Sequence, residues 1–429
     1  MKGFDVLQDA PIALDVATPG PPKSPSLATV VLPVRRPVTE RVVAVGELLQ
    51  DPPEAESSRI GLDELLTQMV DLGGSDLHLT AAAPPTIRLR GDMTAVPGYG
   101  PLEPRMLEEA LYSILTDKQR ALFEERHELD FAYVIPGKSR FRANIFRQRG
   151  SMGAVLRGIP EGIKSLDSLQ LPAILGQFAA LPRGLVLVTG PTGSGKSTTL
   201  AAIIDEANRT RSGHIMTIED PIEFLHNHRG CLVNQREVGA DTHSFAEALK
   251  HVLRQDPDII LVGELRDLET IAVALTAAET GHLVFATLHT SSAQETITRI
   301  VDVFPAGQQA QIRTQLAASL QGVVCQTLCR TVDGTGRRAA VEIMVCTTGI
   351  RALIRDDKLQ QVQSAMQTGA REGMQTLNQH LAQLVRRREI SMSVALEKCS
   401  DKRDLATLCG EAGVGTSVHS NRPFGKDPS

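Results

Sequence analysis

Apolar positions in the first part of the chain change from a helical to a strand period. From residue 61, leucine and methionine recur three and four positions apart, which predicts an amphipathic helix, and shorter stretches then alternate apolar with polar residues as half-buried strands do. A second helix precedes two strands joined by a glycine-containing turn, which predict a closing hairpin. We therefore expect a small α+β domain over residues 59–160. Its predicted helices begin at 61 and cover 107–125, and its predicted strands are 76–79, 86–89, 140–147 and 154–159.

From residue 184 onward, apolar runs of strand length alternate with helical segments. Runs that are apolar throughout are typical of strands buried on both faces, and their alternation with helices indicates a parallel sheet covered by helices. A helical stretch is predicted over 169–180, and the pattern past residue 343 is mainly helical. The sequence predicts an α/β domain over 161–409 with a helical C-terminal part. Its predicted strands are 185–188, 215–218, 259–262 and 283–286.

Both ends of the chain lack these periods. The first 55 residues contain 9 of the 24 prolines and a single aromatic residue, which predicts a disordered arm over 1–58. The last twenty residues contain glycine and serine without a periodic pattern, so we expect a disordered tail over 410–429. The predicted folded part therefore covers 59–409.

Composition and charge exclude several classes of function. The 429 residues include 45 Lys and Arg against 50 Asp and Glu, a net charge of −5, with 3% aromatics and no Trp, so neither a basic nucleic-acid groove nor an aromatic stacking surface is indicated. The six cysteines lack the spacing of a disulfide scaffold or a zinc site. No window approaches the roughly 18 consecutive apolar residues of a spanning helix. We expect a soluble, cytoplasmic protein without zinc.

One glycine-rich segment carries a specific motif for phosphate binding. It fits the pattern G-x-x-x-x-G-K-S/T and lies between an apolar run and a helical stretch, the context in which this motif forms a P-loop. In a P-loop, backbone N–H groups wrap the β-phosphate, Lys196 reaches the β- and γ-phosphates, and the Ser197 hydroxyl ligates Mg²⁺. The predicted nucleotide-binding residues are Gly190, Pro191, Thr192, Gly193, Ser194, Gly195, Lys196, Ser197 and Thr198.

Carboxylates follow two of the apolar runs. The third run ends in Gly263 and Glu264, where a Walker B element is expected, and Glu264 can polarise water for attack on the γ-phosphate. Gly263 occupies the position at which many P-loop enzymes place a Mg²⁺-linked aspartate. After the second run, one of Glu219, Asp220 and Glu223 can complete the Mg²⁺ and water network. Taken alone, such an acidic cluster beside a proline is typical of a solvated turn.

Two histidines bracket the last predicted strand of the α/β domain. His282 precedes this strand and His289 follows it. Metal ligation is disfavoured because no third histidine or cysteine lies at zinc spacing. His289, at the carboxyl end, can sense the γ-phosphate or link the nucleotide state to a neighbouring subunit, and a purely structural role fits either histidine equally well.

The order of these motifs resembles that of the secretion ATPase superfamily, in which they are called Walker A, Asp box, Walker B and His box. More narrowly, the chain is similar to the PilT-like retraction ATPases of type IV pili through residues 75–80, 141–144 and 348–355, within a likeness over roughly 61–408. The resemblance implies a PAS-like N-terminal domain, a RecA-like C-terminal domain and a homohexameric ring that hydrolyses ATP with Mg²⁺ at subunit boundaries. It also implies a cytoplasmic motor that works with a pilus platform protein at the inner membrane and powers twitching motility.

The resemblance also implies roles for individual residues. It makes Lys196 and Ser197 ligands of phosphate and Mg²⁺, and Glu264 the general base. It brings Arg142 and Arg157, on the two strands of the predicted hairpin, to the triphosphate, a task that suits arginine because a guanidinium can bind two phosphoryl oxygens. Without the resemblance, charges that alternate along a hairpin are typical of a solvated face. The remaining assignments are Glu223 in the Asp box and His282 and His289 in the His box.

The cysteines favour retraction over assembly or export. Assembly and type II secretion ATPases commonly carry a four-cysteine zinc insertion after the His box, whereas this chain has Cys325, Cys329 and Cys346 in that region. Pilus assembly and type II export remain alternatives within the family. A RecA-like nucleic-acid motor is disfavoured by the net charge of −5, and a scaffold without turnover is disfavoured by the presence of Lys196 and Glu264.

The segment after Thr348 predicts a helix with two distinct faces. Ile350 and Ile354 share an apolar face, while Arg351 and Arg355 share a basic one. Periodicity alone fits a helix packed on the ATPase domain. Because the segment resembles a retraction-specific motif, we expect both arginines to face a partner.

Overall fold

The computed structural model describes residues 60–89, 91–159 and 162–410. Its strands form two sheets, which follow one another along the chain. The predicted arm over 1–58 lies outside the described residues, and so does the predicted tail apart from Gly410.

The first sheet has six antiparallel strands and packs against three helices. The strands are β1 Asp76–Thr80, β2 Thr86–Leu89, β3 Asp92–Ala95, β4 Glu128–Ile135, β5 Ser139–Gln148 and β6 Ser151–Ile159. The helices are α1 Leu62–Asp71, α2 Pro104–Ser113 and α3 Asp117–Arg126. The strand order is β3-β2-β1-β6-β5-β4, so the long hairpin of β5 and β6 lies inside the sheet.

Alternation along β5 decides which face of the first sheet is buried. Phe141, Ala143 and Ile145 are fully buried and form one core with the apolar side of α1. Because successive side chains of a strand point to opposite faces, Arg140 and Arg142 lie on the other face. The predicted hairpin is therefore confirmed, and Arg140 and Arg142 share the face of the sheet that this core leaves uncovered.

The second sheet has seven strands in the order β13-β12-β7-β11-β10-β8-β9, and all neighbours are parallel except β12 and β13. Its strands are β7 Gly184–Thr189, β8 His214–Glu219, β9 Leu232–Glu237, β10 Ile259–Val262, β11 Leu283–Leu288, β12 Leu320–Arg330 and β13 Arg337–Val345. The helices of this part are α4 Ile174–Ala179, α5 Lys196–Thr210, α6 Phe245–Val252, α7 Leu268–Glu279, α8 Ala293–Asp302, α9 Ala306–Ser319, α10 Thr348–Arg355, α11 Val362–Thr368, α12 Leu377–Arg386, α13 Met392–Lys398 and α14 Lys402–Cys409. No helix in the described ranges combines the length and the apolar character that a membrane span needs.

Helices cover both faces of the second sheet. Leu185 and Leu187 of β7 pack in one core with α6 to α10, and Val186 and Val188 pack in the opposite core with α4 and α5. Burying one such side chain contributes roughly 1.5–3 kcal/mol. Since both faces are buried, the strands are apolar runs without alternation, as the sequence pattern indicates. The predicted α/β class is confirmed.

Two predicted helices are wrong in extent. The predicted helix over 107–125 is two helices, α2 and α3, because Thr116 begins the second by accepting the N–H of Gln119 in a capping box. The predicted helix over 169–180 is reduced to α4, because Pro172 has no N–H and interrupts the helical hydrogen bonds. In both places a local feature of the backbone, a capping residue or a proline, decides where the helix begins, although apolar residues recur at helical spacing beyond that point.

Several strands were not predicted from the sequence. They are β3, which is exposed along its length, the edge strands β4 and β9, and the antiparallel pair β12 and β13. The second sheet is therefore mixed and not wholly parallel. The PAS-like character of the first sheet stays a prediction, as do the domain boundaries 59–160 and 161–409.

The two arginines of α10 have different surroundings. Nη1 of Arg351 donates to the carbonyl oxygens of Ala317 and Ala318 at 2.6 and 2.9 Å. Its Nη2 donates to Oε1 of Gln321 at 3.0 Å. The guanidinium therefore caps the end of α9, while Arg355 is exposed. The expectation that both arginines face a partner is wrong for Arg351.

We predict that Arg351→Ala destabilises the fold and that Arg355→Ala does not. The first change removes three hydrogen bonds made by a charged donor at a helix C-terminus and should lower the free energy of unfolding by about 1–3 kcal/mol. The second removes an exposed charge and should change it by less than about 0.5 kcal/mol. Urea unfolding followed by circular dichroism measures both. Equal unfolding midpoints for the two variants would contradict the capping role of Arg351.

Candidate active site

A cavity of about 590 Å³ opens at the carboxyl ends of the parallel strands in the second sheet. It is bordered by the segments that follow β7, β8, β10 and β11. Parallel strands in register bring their carboxyl ends to one edge, which is where open α/β sheets bind ligands. The volume suits a small organic ligand. The predicted site residues that line the cavity are Thr192, Gly193, Gly195, Lys196, Ser197, Thr198, Glu219, Glu223, Glu264 and His289.

The P-loop joins β7 to α5 along a backbone path that requires glycine. Gly190 has a φ of 140°, and Gly195, which caps α5, has a φ of 88°. A Cβ on Gly190 would lie 2.2 Å from the carbonyl oxygen of Gln326, so no side chain fits at that position. The loop therefore runs directly against β12. The first residues of α5 line the cavity, an arrangement suited to binding phosphate at a helix N-terminus.

Lys196 is the first residue of α5, and its ammonium group is held by the P-loop. Its Nζ donates to the carbonyl oxygens of Gly190 at 2.8 Å and of Pro191 at 3.2 Å. Burial lowers the pKa of Lys196 below its ordinary value, while the negative charges of Glu264 and Glu223 act in the opposite direction. The ammonium thus lies where phosphate oxygens can replace the two carbonyl groups as acceptors.

Gln326 of β12 supports the P-loop on the side away from the cavity, and it was not predicted from the sequence as a functional residue. Its Nε2 donates to the carbonyl oxygen of Ser194 at 2.7 Å, and its Oε1 accepts from Oγ1 of Thr199 at 2.8 Å. Gln326 is 4% exposed and Thr199 is 2% exposed. One buried amide therefore joins the loop to the first turn of α5. The available signal was a glutamine within a largely apolar strand, where a polar side chain needs partners.

Glu264 follows β10, and both of its carboxylate oxygens are engaged. Nη2 of Arg266 lies 2.7 Å from Oε2, and Nε2 of His289 lies 3.3 Å from Oε1. Burial alone would raise the pKa of Glu264, but the hydrogen bonds and charges of Arg266 and His289 hold it below its usual value. The carboxylate is therefore ionised at neutral pH. It borders the cavity, as a proton acceptor for a bound water must.

The acidic segment after β8 brings further carboxylates to the cavity. Glu219 accepts from Oγ1 of Thr217 at 2.6 Å and from Nε2 of Gln235 at 3.1 Å. Burial nevertheless raises the pKa of Glu219 above its usual value. Asp220 and Glu223 are exposed and line the same cavity. The structure thus brings all three candidate carboxylates together.

The structure does not bring His282 to this cavity. His282 precedes β11 at its amino end, and its Nδ1 lies 3.0 Å from the carbonyl oxygen of Ala277 near the end of α7. His289 follows β11 at its carboxyl end and contacts Glu264. The two histidines therefore lie at opposite edges of the sheet, and of the pair His289 is the one beside the P-loop.

The two predicted arginines also lie away from the cavity in this chain. Arg142 and Arg157 face each other across β5 and β6, with side chains 52% and 69% exposed. Nε of Arg142 lies 3.9 Å from Oδ1 of Asp130, and Nε of Arg157 lies 2.7 Å from Oδ1 of Asp76. Burial alone would raise the pKa of Asp76, but its hydrogen bonds from Ser75 and Arg157 hold it below its usual value.

The oxygen donors at the cavity fit Mg²⁺. Ser197 supplies a hydroxyl from the first turn of α5, and the carboxylates of Glu219, Glu223 and Glu264 border the same space. Mg²⁺ prefers oxygen ligands and is usually held by one or two protein groups together with phosphates. In the part of the chain that the structure describes, no group of three or more His, Cys, Asp or Glu side chains is arranged to hold a metal ion. Oxygen donors of this kind suit an ion that binds together with a phosphate ligand.

Comparison with known proteins identifies the family. A family model described as "Type II/IV secretion system protein" matches residues 60–414, and the chain belongs to this family.

The relatives point to one branch of that family. The chain is 55% identical over 337 residues to the "Type IV pilus retractation ATPase PilT" of Pseudomonas aeruginosa, covering 79% of this chain and 97% of that relative. It is 48% identical over 322 residues to a "Twitching motility protein" of Neisseria gonorrhoeae, covering 75% and 86%. A crystal structure of the pilus retraction motor PilT with bound ADP matches with a TM-score of 0.77 and 48% identity, over 81% of this chain and 99% of that one. The predicted resemblance to PilT-like proteins is confirmed.

We predict that Gln326→Met weakens nucleotide binding. Methionine has a similar size but can neither donate to Ser194 nor accept from Thr199, so the P-loop loses its support. The Kd for a fluorescent ADP analogue should rise about tenfold, which corresponds to about 1.4 kcal/mol. Titration at a temperature where the variant is fully folded measures this change.

Asn378→Leu is the matched control for Gln326→Met. Asn378 is a buried amide whose Nδ2 donates to the backbone oxygen of Asp401 at 2.7 Å and to Oδ2 of Asp404 at 2.8 Å, within the C-terminal helices. Its loss should lower the unfolding midpoint without changing the Kd. An unchanged Kd in Gln326→Met would show that the amide of Gln326 contributes to packing and not to nucleotide binding.

Proposed function

We propose that this chain is an ATP-hydrolysing motor that powers the retraction of type IV pili and thereby twitching motility. The observation that carries the proposal is the cavity in which the P-loop, Lys196 and Glu264 meet, in a chain that is 55% identical to the PilT of Pseudomonas aeruginosa. The ADP in the crystal structure of a PilT supports an adenine nucleotide as the ligand.

ATP binds with its phosphates at the P-loop. Backbone N–H groups from the loop and the start of α5 meet the β-phosphate. Lys196 exchanges its bonds to the carbonyl groups of Gly190 and Pro191 for bonds to the β- and γ-phosphate oxygens. Gln326 keeps the loop in shape during this exchange, because its bonds to Ser194 and Thr199 lie behind the loop, away from the ligand.

Mg²⁺ is the second cofactor of the proposed reaction. Ser197 would hold it through its hydroxyl, and Glu219 or Glu223 would contact its water ligands. When bound, the ion neutralises the charge that develops on the phosphates. The raised pKa of buried Glu219 suits a group that bonds to water beside a metal ion and not directly to the metal.

Glu264 is the general base of the proposed hydrolysis. Its carboxylate accepts a proton from the water that attacks the γ-phosphorus, the bond to the oxygen that bridges the β- and γ-phosphates breaks, and ADP and phosphate form. Arg266 and His289 keep the carboxylate ionised and orient its two oxygens. His289 thereby links the end of β11 to the base.

A second copy of the chain completes each site. Arg142 and Arg157 are exposed on the first sheet, away from the P-loop of their own chain, and a guanidinium suits phosphoryl oxygens. We assign them to the triphosphate bound by the neighbouring subunit of a homohexamer, because a closed ring of identical contacts gives every P-loop one such pair. Residues 59–160 and 161–409 then act as two domains. The ring works in the cytoplasm on a pilus platform protein of the inner membrane. Arg355, which is exposed and whose Nε lies 3.3 Å from Oδ1 of Asp356, takes part in this coupling.

We predict that the protein hydrolyses ATP only in the presence of Mg²⁺. Lys196→Ala and Glu264→Gln should each stop this hydrolysis, but at different steps. Lys196→Ala removes the charge that meets the β- and γ-phosphates, so nucleotide binding and turnover should both be lost. Glu264→Gln keeps the shape of the side chain but removes the proton acceptor, so ATP should stay bound while kcat falls by about 10²- to 10⁴-fold. Phosphate release and nucleotide binding measured on the same preparations separate the two effects. A wild-type rate in Glu264→Gln would show that another group is the base.

Deletion of the gene tests retraction in cells. Loss of the motor should leave abundant pili that do not retract, and a Glu264→Gln allele expressed at the normal level should reproduce this state. Imaging of labelled pili measures both their number and their dynamics. Absence of pili after deletion would instead identify an assembly ATPase and overturn the proposed direction of work.

We predict that two inactive variants restore activity when they are assembled together. Arg142→Ala lacks the arginine and Lys196→Ala lacks a working P-loop. In a random mixture of equal amounts, roughly a quarter of the interfaces pair an intact P-loop with an intact Arg142, so about a quarter of the wild-type ATP turnover should return. Arg142 is preferable to Arg157 here, because removing Arg157 would also leave the buried Asp76 without its charged partner.

The control mixture combines Lys196→Ala with Glu264→Gln. Both changes affect the cavity of a single chain, so every site in a mixed ring lacks one of the two residues and no activity should return. Failure of the Arg142→Ala mixture to regain activity would contradict a site shared between subunits.

A further inference from the structure

A largely buried ion pair connects the first sheet to the edge of the second. Nη2 of Arg140, on β5, donates to Oε2 of Glu237, the last residue of β9. The two side chains are 14% and 9% exposed. Strand β9 lies at the edge of the second sheet, beside β8. The pair therefore joins one strand from each sheet.

Glu237 also holds the acidic segment of the candidate active site. The same oxygen, Oε2, accepts the N–H of Ile222 at 3.1 Å. Ile222 is buried, and it lies between Asp220 and Glu223, which line the cavity. One carboxylate oxygen thus binds both a guanidinium of the first sheet and the backbone of the cavity segment.

The backbone of Glu237 is fixed independently of Arg140. Its N–H donates to Oδ2 of Asp241 at 2.8 Å, and β9 pairs with β8 so that Glu237 lies beside Glu219. The ion pair with Arg140 therefore fixes the direction of the Glu237 side chain and not the position of its backbone. Arg142, two residues beyond Arg140 on the same face of β5, is exposed.

The burial of this pair favours a positioning role over a stabilising one. Taking two charges out of water costs free energy that their attraction only partly returns, so a buried ion pair contributes little net stability. Leaving either partner buried alone is strongly unfavourable. When the guanidinium of Arg140 is withdrawn, the carboxylate of Glu237 must turn toward water, and it then leaves Ile222.

We propose that Arg140 and Glu237 are positioning residues that couple the first sheet to the acidic segment at the ATP site. With the pair closed, Glu237 holds Ile222, and the carboxylates on either side of it stay at the cavity. Displacement of the first sheet opens the pair and loosens the segment. The effect on turnover rests on the proposed function, whereas the effect on the segment does not.

Hydrogen exchange of the full chain without nucleotide tests the effect on the segment. Arg140→Met should raise the exchange rate of the peptide that contains Ile222 by about tenfold or more, because Glu237 loses its partner. Arg140→Lys keeps the charge and should stay close to wild type. Arg147→Met is the control, since it removes an ion pair on the same strand whose partner, Glu124, belongs to the first sheet's own helix α3. Unchanged exchange in Arg140→Met, or an equal increase in Arg147→Met, would overturn the proposal.

ATP turnover tests the effect on the site. Arg140→Met and Glu237→Gln should each lower kcat by about fivefold or more and change the KM for ATP by less than about twofold, because the P-loop is not altered. The double variant should be no slower than the slower single variant, as expected for two residues that act as a unit. Additive losses would contradict the coupling. If the wild-type chain hydrolysed no ATP, the proposed function would fail, and the exchange experiment would still decide the role of the pair.

Discussion

The parallel register of β7, β11 and β10 is the constraint on which the site depends. Thr189 lies beside Leu288, and Val262 lies beside Ala286, so the chain leaves these strands at one edge of the sheet. A shift of one residue would move a strand end by about 3.3 Å. Such a displacement is as large as the 3.3 Å distance between Oε1 of Glu264 and Nε2 of His289, two residues that follow neighbouring strands. It would therefore break their contact. The two buried cores that fix the register therefore also fix the distances within the cavity.

Close packing at this edge also explains why the carboxylate of the proposed base lies on residue 264 and not on residue 263. The N–H of Gly263 donates to the carbonyl oxygen of Ile218 at 2.8 Å, and a Cβ on Gly263 would lie 3.1 Å from that oxygen. A side chain at this position would require the backbone at the end of β8 to shift by a few tenths of an ångström. The acid therefore follows one residue later, as Glu264, and its longer side chain reaches the cavity from beyond the crowded point.

The features that could be predicted from the sequence are those that depend on residues close together along the chain. The P-loop and the four central strands were predictable because glycine spacing and apolar runs report directly on backbone shape and burial. Contacts between distant segments were not. Gln326 is 132 positions from the carbonyl group it supports, and Arg351 looks solvent-facing by period although it caps a helix that ends more than thirty residues earlier. His282 and His289 look equivalent in the sequence, and a six-residue strand separates them to opposite edges.

The charged groups at the cavity are bound by other groups of the protein. Lys196 is bound to carbonyl groups, and Glu264 is bound to Arg266 and His289. A carboxylate whose pKa is held low is ionised but is a weak proton acceptor. A triphosphate competes for the guanidinium of Arg266, and a guanidinium that turns from Glu264 toward a phosphate allows the pKa of that carboxylate to rise. The proposed base therefore gains proton affinity when its substrate draws the guanidinium of Arg266 away.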